Sequence, residues 1–470
     1  MDELTCFKAY DIRGEVDVSL TVDIAYRIGR AYGSWLKPRN VVIGSDVRLT
    51  SETYKAALAM GLMDCGVDVI DIGTTGTEEV YFATRELKSD GGIEITASHN
   101  PANYNGMKLV REDARPISND NGLLEIKALA EKNKFPDISR HGTYYHHDCR
   151  PQWVAHLLSY LRAKPSRPLR IVANAGHGAA GQALDALDSA MRAQGINVEF
   201  IRLHHNPDGT FPAGVPNPML PENRSSTCEA IRFHQADFGV AWDGDFDRCF
   251  FFDEQGEFVE SYYLVGLFAQ WFLQQSPGST ILLDPRLTWN TLESVQQMGG
   301  KAVISRTGHA FIKARMREED AIYGGEMSGH HYFRDFGYCD SGMIPLVLMI
   351  QIIGQMDSQL SSYLRNTQQR YPISGEINLE VSDSQQVLQR VTAYFQNTDA
   401  QRDDDDGLSL AFSDWRFNLR VSNTEPLIRL NIETRANPTL LIAKTDELLS
   451  VISNHNEGNS NDCFNPTKYS

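Results

Sequence analysis

The sequence predicts an α/β protein in which three related strand-and-helix units precede a smaller α+β domain. Three observations carry this expectation. The chain has 470 residues, and domains of usual size divide such a length into roughly three or four separately packed units. The second observation is rhythm. Residues 41–43 read as a strand, 52–65 as a helix, 67–72 as a strand and 92–96 as another, because β-branched runs alternate with helical apolar spacing. The pattern returns at 169–173, followed by a glycine-rich turn and a helix, and again at 280–283, followed by a helix over 289–298. Parallel or mixed sheets follow from it. The third observation is a change of pattern near the C-terminus. A strand near 376–381, a helix near 386–395, strands at 415–421 and 427–433 and a closing helix fit an α+β domain.

Composition narrows the class. Hydrophobic residues make up 41% and charged residues 22%, as in packed globular chains. No apolar run reaches the roughly 18 residues of a membrane span. The first residues carry acids and no signal-like apolar stretch, so a cytoplasmic protein without a membrane partner is expected. Seven cysteines (Cys6, Cys65, Cys149, Cys228, Cys249, Cys339, Cys463) are scattered with no C-x-x-C pair, which points to a reducing compartment and away from a zinc site. The net charge of -17 repels a polyanionic backbone, so nucleic acid is not an expected partner. A small phosphorylated substrate is compatible with it if basic groups converge in a low-dielectric cleft. The segment 399–407, with four consecutive aspartates, reads as a solvated loop, and the polar tail from about 454 as frayed.

Four loops carry chemistry-bearing residues. Thr96-Ala97-Ser98-His99-Asn100-Pro101 follows the strand read at 92–96, where strand-to-helix crossovers present active loops. A serine hydroxyl there can accept a phosphoryl group and return it, splitting one difficult transfer into two easier ones. Alone, the hexapeptide reads equally as a polar turn that ends a strand. The second loop is Asp243-Gly244-Asp245-Phe246-Asp247-Arg248. Alternate side chains of an extended backbone face the same way, so its three carboxylates can converge on one hard cation. Magnesium takes few protein carboxylates and completes its octahedron with phosphate or water oxygens. Two other readings compete. An EF-hand would place its last ligand at Glu254, but its sixth position requires glycine and holds Arg248. An aspartyl-phosphate enzyme would make Asp243 the nucleophile and Asp245 the acid, which leaves Asp247, Arg248 and the Ser98 loop without a task.

The third loop, Gly324-Gly325-Glu326-Met327-Ser328-Gly329-His330-His331, offers donors and acceptors suited to sugar hydroxyls. As a bare string it also fits a glycine-rich turn. The fourth, Arg420-Val421-Ser422-Asn423-Thr424-Glu425-Pro426, can wrap a phosphate dianion with guanidinium, hydroxyl, amide and backbone donors, or serve as a polar hairpin connection.

Together and in this order the loops resemble those of the α-D-phosphohexomutase superfamily. The resemblance covers nearly the full chain. It begins at Ala9-Tyr10-Asp11-Ile12-Arg13-Gly14, similar to that family's opening signature, and runs through Asn105-Gly106-Met107-Lys108 to the last loop. It implies four domains around a central cleft, three α/β units with mixed sheets and a C-terminal α+β domain, each supplying one loop. On that footing the domains are expected at 1–143, 144–253, 254–367 and 368–470. It further implies a phosphoserine at Ser98, with magnesium held by Asp243, Asp245, Asp247 and a phosphoserine oxygen. A hexose monophosphate would take the phosphoryl group, turn over as a hexose 1,6-bisphosphate, and return its other phosphate to Ser98. Arg248 and Lys108 would offset charge on the transferred group, and Arg13 of the opening signature is counted with them.

The same resemblance implies that Arg420, Ser422, Asn423, Thr424 and Arg429 grip the phosphate that is not reacting. His309, in Thr307-Gly308-His309-Ala310-Phe311-Ile312-Lys313, matches a cleft histidine of the family, and its ordinary pKa suits proton transfer. A histidine that only binds phosphate is the other reading. Where relatives often show lysine, this chain has Arg286, which stabilises charge but cannot shuttle a proton. More of the acid-base work therefore falls to His309. The loop Asn174-Ala175-Gly176-His177-Gly178 is read as structural.

The Glu326-Met327-Ser328-Gly329-His330 form resembles the bacterial phosphomannomutase and phosphomannomutase/phosphoglucomutase branch, whereas the phosphoglucosamine branch typically has Gln in place of Met327. Glu326 and Ser328 are expected at O3 and O4, which mannose and glucose share. Residues 284–290 and 323–341 resemble phosphomannomutases that supply GDP-mannose synthesis for surface polysaccharide. The resemblance thus implies a phosphomannomutase, an isomerase, with glucose or dual specificity as the alternative. The implied partners are small hexose phosphates, and the implied state is monomer or homodimer.

Overall fold

The computed structural model describes residues 3–136, 140–421 and 427–453. These fall into two compact units. One comprises residues up to 284 together with 290–366, the other 285–289 together with 367 onward.

The first unit holds three mixed sheets. In the seven-stranded sheet the order is Ile12–Glu15, Tyr104–Arg111, Gly91–Ile95, Asn40–Ser45, Asp68–Thr74, Tyr144–His146, with Arg115–Pro116 beside Tyr104–Arg111. The second runs Phe258–Val259, Cys249–Phe252, Phe238–Trp242, Leu169–Asn174, Val198–Leu203, and the third Lys301–Ile304, Thr280–Leu283, Tyr323–Gly325, His331–Phe333, Cys339–Asp340. One strand occupies the same topological place in each. Gly91–Ile95, Phe238–Trp242 and Tyr323–Gly325 each run parallel to one neighbour and antiparallel to the strand that follows them in sequence. The three chemistry-bearing loops are therefore hairpin connections. This corrects the expectation that the Ser98 loop lies on a strand-to-helix crossover: Tyr104–Arg111 is itself a strand, and it returns alongside Gly91–Ile95.

Hydrophobic burial fixes these sheets. Ile12, Val41, Ile43, Val69, Ile93, Ile95 and Met107 face a common core with Ile28, Tyr32, Leu58 and Leu62 from helices Val22–Leu36 and Ser51–Met63. Helix Met343–Gln355 is apolar on nearly every face and almost wholly buried; among the described residues no single helix is long and apolar enough to cross a membrane. Its N-terminus meets Glu78. The Glu78 carboxylate accepts from Ser341 Oγ at 2.9 Å, from Gly342 N at 2.7 Å, from Met343 N at 3.1 Å and from Trp153 Nε1 at 3.2 Å. Residues from the regions of all three sheets thus meet on one carboxylate.

Burial pushes the Glu78 carboxyl up to about 8, against the lowering pull of Ser341 and the two backbone N–H groups. A value raised on folding means that this group's stabilising contribution is full below the usual carboxylate range and is lost as pH rises toward the folded value. Glu78→Gln removes the titration. The variant's melting temperature is expected to fall less than that of the wild type between about pH 5 and about pH 8. Calorimetry checks this, and parallel curves would contradict it.

The second unit is an antiparallel sheet ordered Ile373–Glu380, Leu427–Thr434, Trp415–Val421, Leu408–Ala411, Gln401–Asp403, with helices Ser384–Tyr394 and Pro438–Ser453. Alternation divides its strands into two faces. Phe417, Leu419, Ile428, Leu430 and Ile432 join Val387, Val391, Leu448 and Ile452 in an apolar core. The alternate positions Arg416, Asn418, Arg420, Arg429, Asn431 and Glu433 are polar. Segment 285–289 is fastened within this unit. Arg416 donates to the carbonyls of Arg286 at 2.9 Å and Pro285 at 2.8 Å, while Glu433 accepts from Arg416 at 2.9 Å and from Thr288 N at 2.7 Å.

Part of the segment expected to be a loop, 399–407, is the strand Gln401–Asp403, paired with Leu408–Ala411. It is an exposed edge strand of polar and charged residues, a composition that discourages further pairing. The tail from 454 and the fourth-loop residues Ser422, Asn423 and Thr424 lie outside the described residues.

Candidate active site

Ser98 sits at the exit of Gly91–Ile95 with φ 51, a left-handed conformation that a non-glycine residue adopts only when its surroundings enforce it. Its N–H donates to Thr96 Oγ1 at 2.8 Å and its hydroxyl donates to Asp243 Oδ2 at 2.7 Å. Asp243 opens the hairpin after Phe238–Trp242. Gly244, the next residue, is required for this approach, because a Cβ there would lie 2.5 Å from the Ser98 carbonyl oxygen. The two loops are in van der Waals contact, and Ser98 is the only hydroxyl recorded on Asp243 among the described residues.

Asp243, Asp245 and Asp247 converge as the alternate spacing predicts, and one oxygen from each lies within 4.8 Å of the others. All three are buried. Thr77 Oγ1 and Lys108 Nζ each donate to Asp245 Oδ2 at 2.6 Å, and Lys108 also donates to Asp247. Arg248 donates to Asp243 Oδ2 through Nε at 2.8 Å and Nη2 at 2.7 Å. Two cations therefore face three carboxylates. Burial raises the Asp243 carboxyl, with Arg248 pulling the other way. At Asp247 burial is outweighed by Lys108, His330 and Arg248, which hold it well below the usual carboxylate range. The same acids raise Lys108 against its own burial.

This set fits a hard divalent cation. Asp245 Oδ1 and Asp247 Oδ1 are buried oxygens that accept no hydrogen bond among the described residues, and a buried carboxylate oxygen left so is costly unless a cation meets it. Glu254, the twelfth position of an EF-hand reading, is instead engaged by Ser361 N at 3.2 Å and by Ser361 Oγ.

The third loop reaches the same place. Arg248 and His330 form a backbone bridge, and Cys249 N donates to Gly329 O at 3.2 Å. His330 Nε2 lies 3.7 Å from Asp247 Oδ1 and 3.8 Å from Asp340 Oδ2, and its Nδ1 is 3.0 Å from Ser328 Oγ. Burial lowers its pKa, but Asp247, Glu326 and Asp340 together raise it. Glu326 accepts from Tyr332 OH at 2.5 Å and from Gly308 N at 3.1 Å. That second bond joins the third loop to the loop that holds His309. His309 begins helix His309–Glu318 and packs edge-on against Tyr10 at 5.1 Å. Both ring nitrogens are buried and accept or donate no hydrogen bond among the described residues. Burial, then Lys313, Lys108 and His330, push its pKa well below the ordinary 6.5, and a helix N-terminus acts in the same direction. The imidazole is neutral at neutral pH.

Arg13 donates to Asp11 Oδ2 at 2.8 Å and to Asn100 Oδ1 at 2.7 Å, so the opening signature braces the Ser98 loop. In the second unit, Arg286 Nη1 lies 3.4 Å from Glu376 Oε2, Arg420 Nη2 4.0 Å from the same oxygen, and Arg429 Nη1 3.6 Å from Glu376 Oε1. Three arginines expected to bind substrate thus surround one carboxylate. Crowding by Arg286 and burial depress the Arg420 guanidinium, burial more strongly. His177 is turned to Asn206 O at 2.9 Å and stacks edge-on with His204 at 5.1 Å.

Several residues escaped sequence reasoning. His99 accepts from Arg248 at Nδ1, and burial together with Arg248 and Arg13 keeps it neutral, its pKa well below 6.5. Thr77 and Arg48 likewise act on residues 168 and 50 to 56 positions away, while Tyr332 and Asp340 act on Glu326 and His330 close by in sequence. His99 lies in the Ser98 hexapeptide, and Tyr332 and Asp340 lie within 323–341.

Comparison with known proteins adds the following. Domains I, II and III of phosphoglucomutase/phosphomannomutase, each described as alpha/beta/alpha, match residues 5–137, 151–256 and 260–371, and the C-terminal domain of the same family matches 376–441. A phosphomannomutase of Escherichia coli is 56% identical over 455 residues, covering 96% of this chain and 100% of its own length. A protein of Xanthomonas campestris pv. campestris named for phosphohexose mutases is 50% identical over 449 residues, covering 96% and 99%. The crystal structure of a phosphoglucomutase/phosphomannomutase family protein from Burkholderia thailandensis superposes with a TM-score of 0.85 at 31% identity, covering 97% of this chain and 99% of that one.

Proposed function

The chain belongs to the phosphoglucomutase/phosphomannomutase family, and from that premise we propose that it interconverts mannose 6-phosphate and mannose 1-phosphate through a phosphorylated Ser98. The observation that carries this reading is the 2.7 Å hydrogen bond from Ser98 Oγ to Asp243, at the mouth of the triple-aspartate cluster. The sugar assignment is supported by the E. coli phosphomannomutase at 56% identity.

Ser98 carries the phosphoryl group and gives it to the free hydroxyl of the bound sugar monophosphate, forming a hexose 1,6-bisphosphate. After the sugar reorients, its other phosphate returns to Ser98. Asp243, Asp245, Asp247 and an oxygen of phospho-Ser98 would hold magnesium, which would supply positive charge to the phosphoryl oxygens. Arg248 and Lys108, already among these carboxylates, add fixed positive charge at the transfer point, and Arg13 steadies the loop through Asn100. Glu326, Ser328 and His330 orient the sugar ring through its hydroxyls. Arg420 and Arg429, with Ser422, Asn423 and Thr424, hold the phosphate that is not reacting, and Arg286 stabilises charge on the bound substrate. The product mannose 1-phosphate suits a nucleotidyl transfer such as GDP-mannose synthesis.

His309 takes the proton from the attacking sugar hydroxyl and returns it in the reverse half. Because its neutral form persists well below pH 6.5, the acidic limb of the kcat/KM profile is expected below that value. His309→Ala is expected to lower turnover by about 10²- to 10⁴-fold, and His177→Ala to leave it unchanged. Equal losses in the two variants would remove His309 from this role.

The deciding experiment compares mannose 1-phosphate, glucose 1-phosphate and glucosamine 1-phosphate under one condition. Mannose 1-phosphate is expected to give the highest kcat/KM. Parity with glucose 1-phosphate would favour the dual-specificity reading, which the broader name of the Xanthomonas relative supports. Preference for glucosamine 1-phosphate would overturn both.

A further inference from the structure

Arg48 is a charged residue on which the sequence analysis placed no role, and its side chain is 1% exposed. It lies just beyond strand Asn40–Ser45, next to the strand that leads into the Ser98 loop. Its guanidinium ends on four main-chain carbonyls of that loop and its exit: Nη2 donates to Ser98 O at 2.8 Å and Asn100 O at 2.6 Å, and Nη1 to Pro101 O at 2.7 Å and Tyr104 O at 2.8 Å. Asp46 completes the arrangement, 3.3 Å from Nε, and is itself held by Ser51 Oγ at 2.5 Å. From the second sheet's region the Phe211 ring covers the guanidinium at 5.4 Å.

No other side chain can reproduce this. Arginine presents five donors in a planar fork, whereas lysine has three on one nitrogen and cannot span carbonyls from Ser98 to Tyr104. The consequence bears on the nucleophile. A serine with φ 51 is held against its own preference, and turning its carbonyl inward toward Arg48 leaves Oγ directed at Asp243.

We propose that Arg48 is a positioning residue for phosphoryl transfer. By gathering the carbonyls of residues 98–104 it holds Ser98 in the left-handed geometry that aims Oγ at the acidic cluster, and it does so without touching substrate. The inference rests on Ser98 being the phosphoryl carrier.

The test uses the full-length enzyme with magnesium, in two variants, Arg48→Lys and Arg48→Ala. Single-turnover discharge of ³²P-labelled phosphoenzyme to mannose 6-phosphate is measured alongside steady-state kcat and KM. Discharge and kcat are expected to fall together by about 100-fold in both variants, the loss that a misplacement of roughly 1 Å imposes, with KM changed less than about threefold. Guanidinium ion at millimolar concentration is expected to recover at least about tenfold of the kcat of Arg48→Ala, and ammonium ion none, since only the former restores a planar fork. Should Arg48→Ala fail to fold, Arg48→Lys and Phe211→Ala carry the test, the second expected to show a smaller loss of kcat at constant KM. Wild-type discharge in Arg48→Lys, or losses that follow the unfolded fraction and vanish on cooling, would overturn the proposal. If the wild type carries no label on Ser98, the functional reading fails instead, which is a separate outcome.

Discussion

Ser98→Ala is expected to lose turnover by about 10⁴- to 10⁶-fold, the scale on which removal of a covalent nucleophile acts, while the protein remains folded. The side chain is small and its hydroxyl meets Asp243 Oδ2 at 2.7 Å and His99 Nδ1 at 3.0 Å, so truncation creates little space. The same variant separates the two chemistries that the acidic loop allows. In the wild type, label from a hexose bisphosphate should be stable to acid and hydroxylamine and labile to alkali, as a phosphoserine is, and it should vanish in Ser98→Ala. Label that persists in the variant and is released by hydroxylamine would place the phosphoryl group on Asp243. Against that stands the crowding of Asp243 Oδ2, which already receives the Ser98 hydroxyl and two N–H groups of Arg248.

Asp245→Asn is expected to reverse sign with metal. Without magnesium, removing one negative charge from three buried carboxylates opposed by two cations relieves like-charge repulsion, and the variant should melt higher than the wild type. With magnesium the order inverts. A cation present at a hundredfold excess over its Kd stabilises the protein that binds it by about 2.7 kcal/mol, and the variant forgoes this gain because its amide supplies no charge at a position where Oδ1 has no donor among the described residues. Activity is expected to drop by more than the roughly 100-fold that loss of a ligand's supporting partner costs. Melting curves of both proteins with and without magnesium decide the matter. An equal magnesium-induced rise in the two would exclude Asp245 as a ligand.

Much of the site was legible because its chemistry is local in sequence. Three aspartates at alternate positions need only an extended backbone to converge, and Asp243, Asp245 and Asp247 do so. The strands at 41–43, 169–173 and 280–283 announced themselves by β-branched runs and appear as Asn40–Ser45, Leu169–Asn174 and Thr280–Leu283. What escaped depends on partners distant along the chain. Arg48 acts on carbonyls 50 to 56 residues away and Thr77 on an aspartate 168 residues away, and no spacing rule encodes such pairs. The hairpin character of the loops was hidden for another reason. Alternating strands and helices suggest crossovers, and Asn105 to Lys108 drew attention as a motif instead of as a returning strand. The short strand Gln401–Asp403 is concealed by charge, since its solvent-facing residues look like those of any loop.

The fastening of segment 285–289 has a consequence for how the chain is made. A ribosome delivers Arg286 130 residues before Arg416, and Thr288 145 residues before Glu433. These groups therefore precede their Arg416 and Glu433 partners while residues 290–366 of the first unit, helix Met343–Gln355 among them, are synthesised. A nascent chain halted at residue 366 would hold every residue of the first unit together with five residues of the second, which could not close until its last strand, Leu427–Thr434, had emerged.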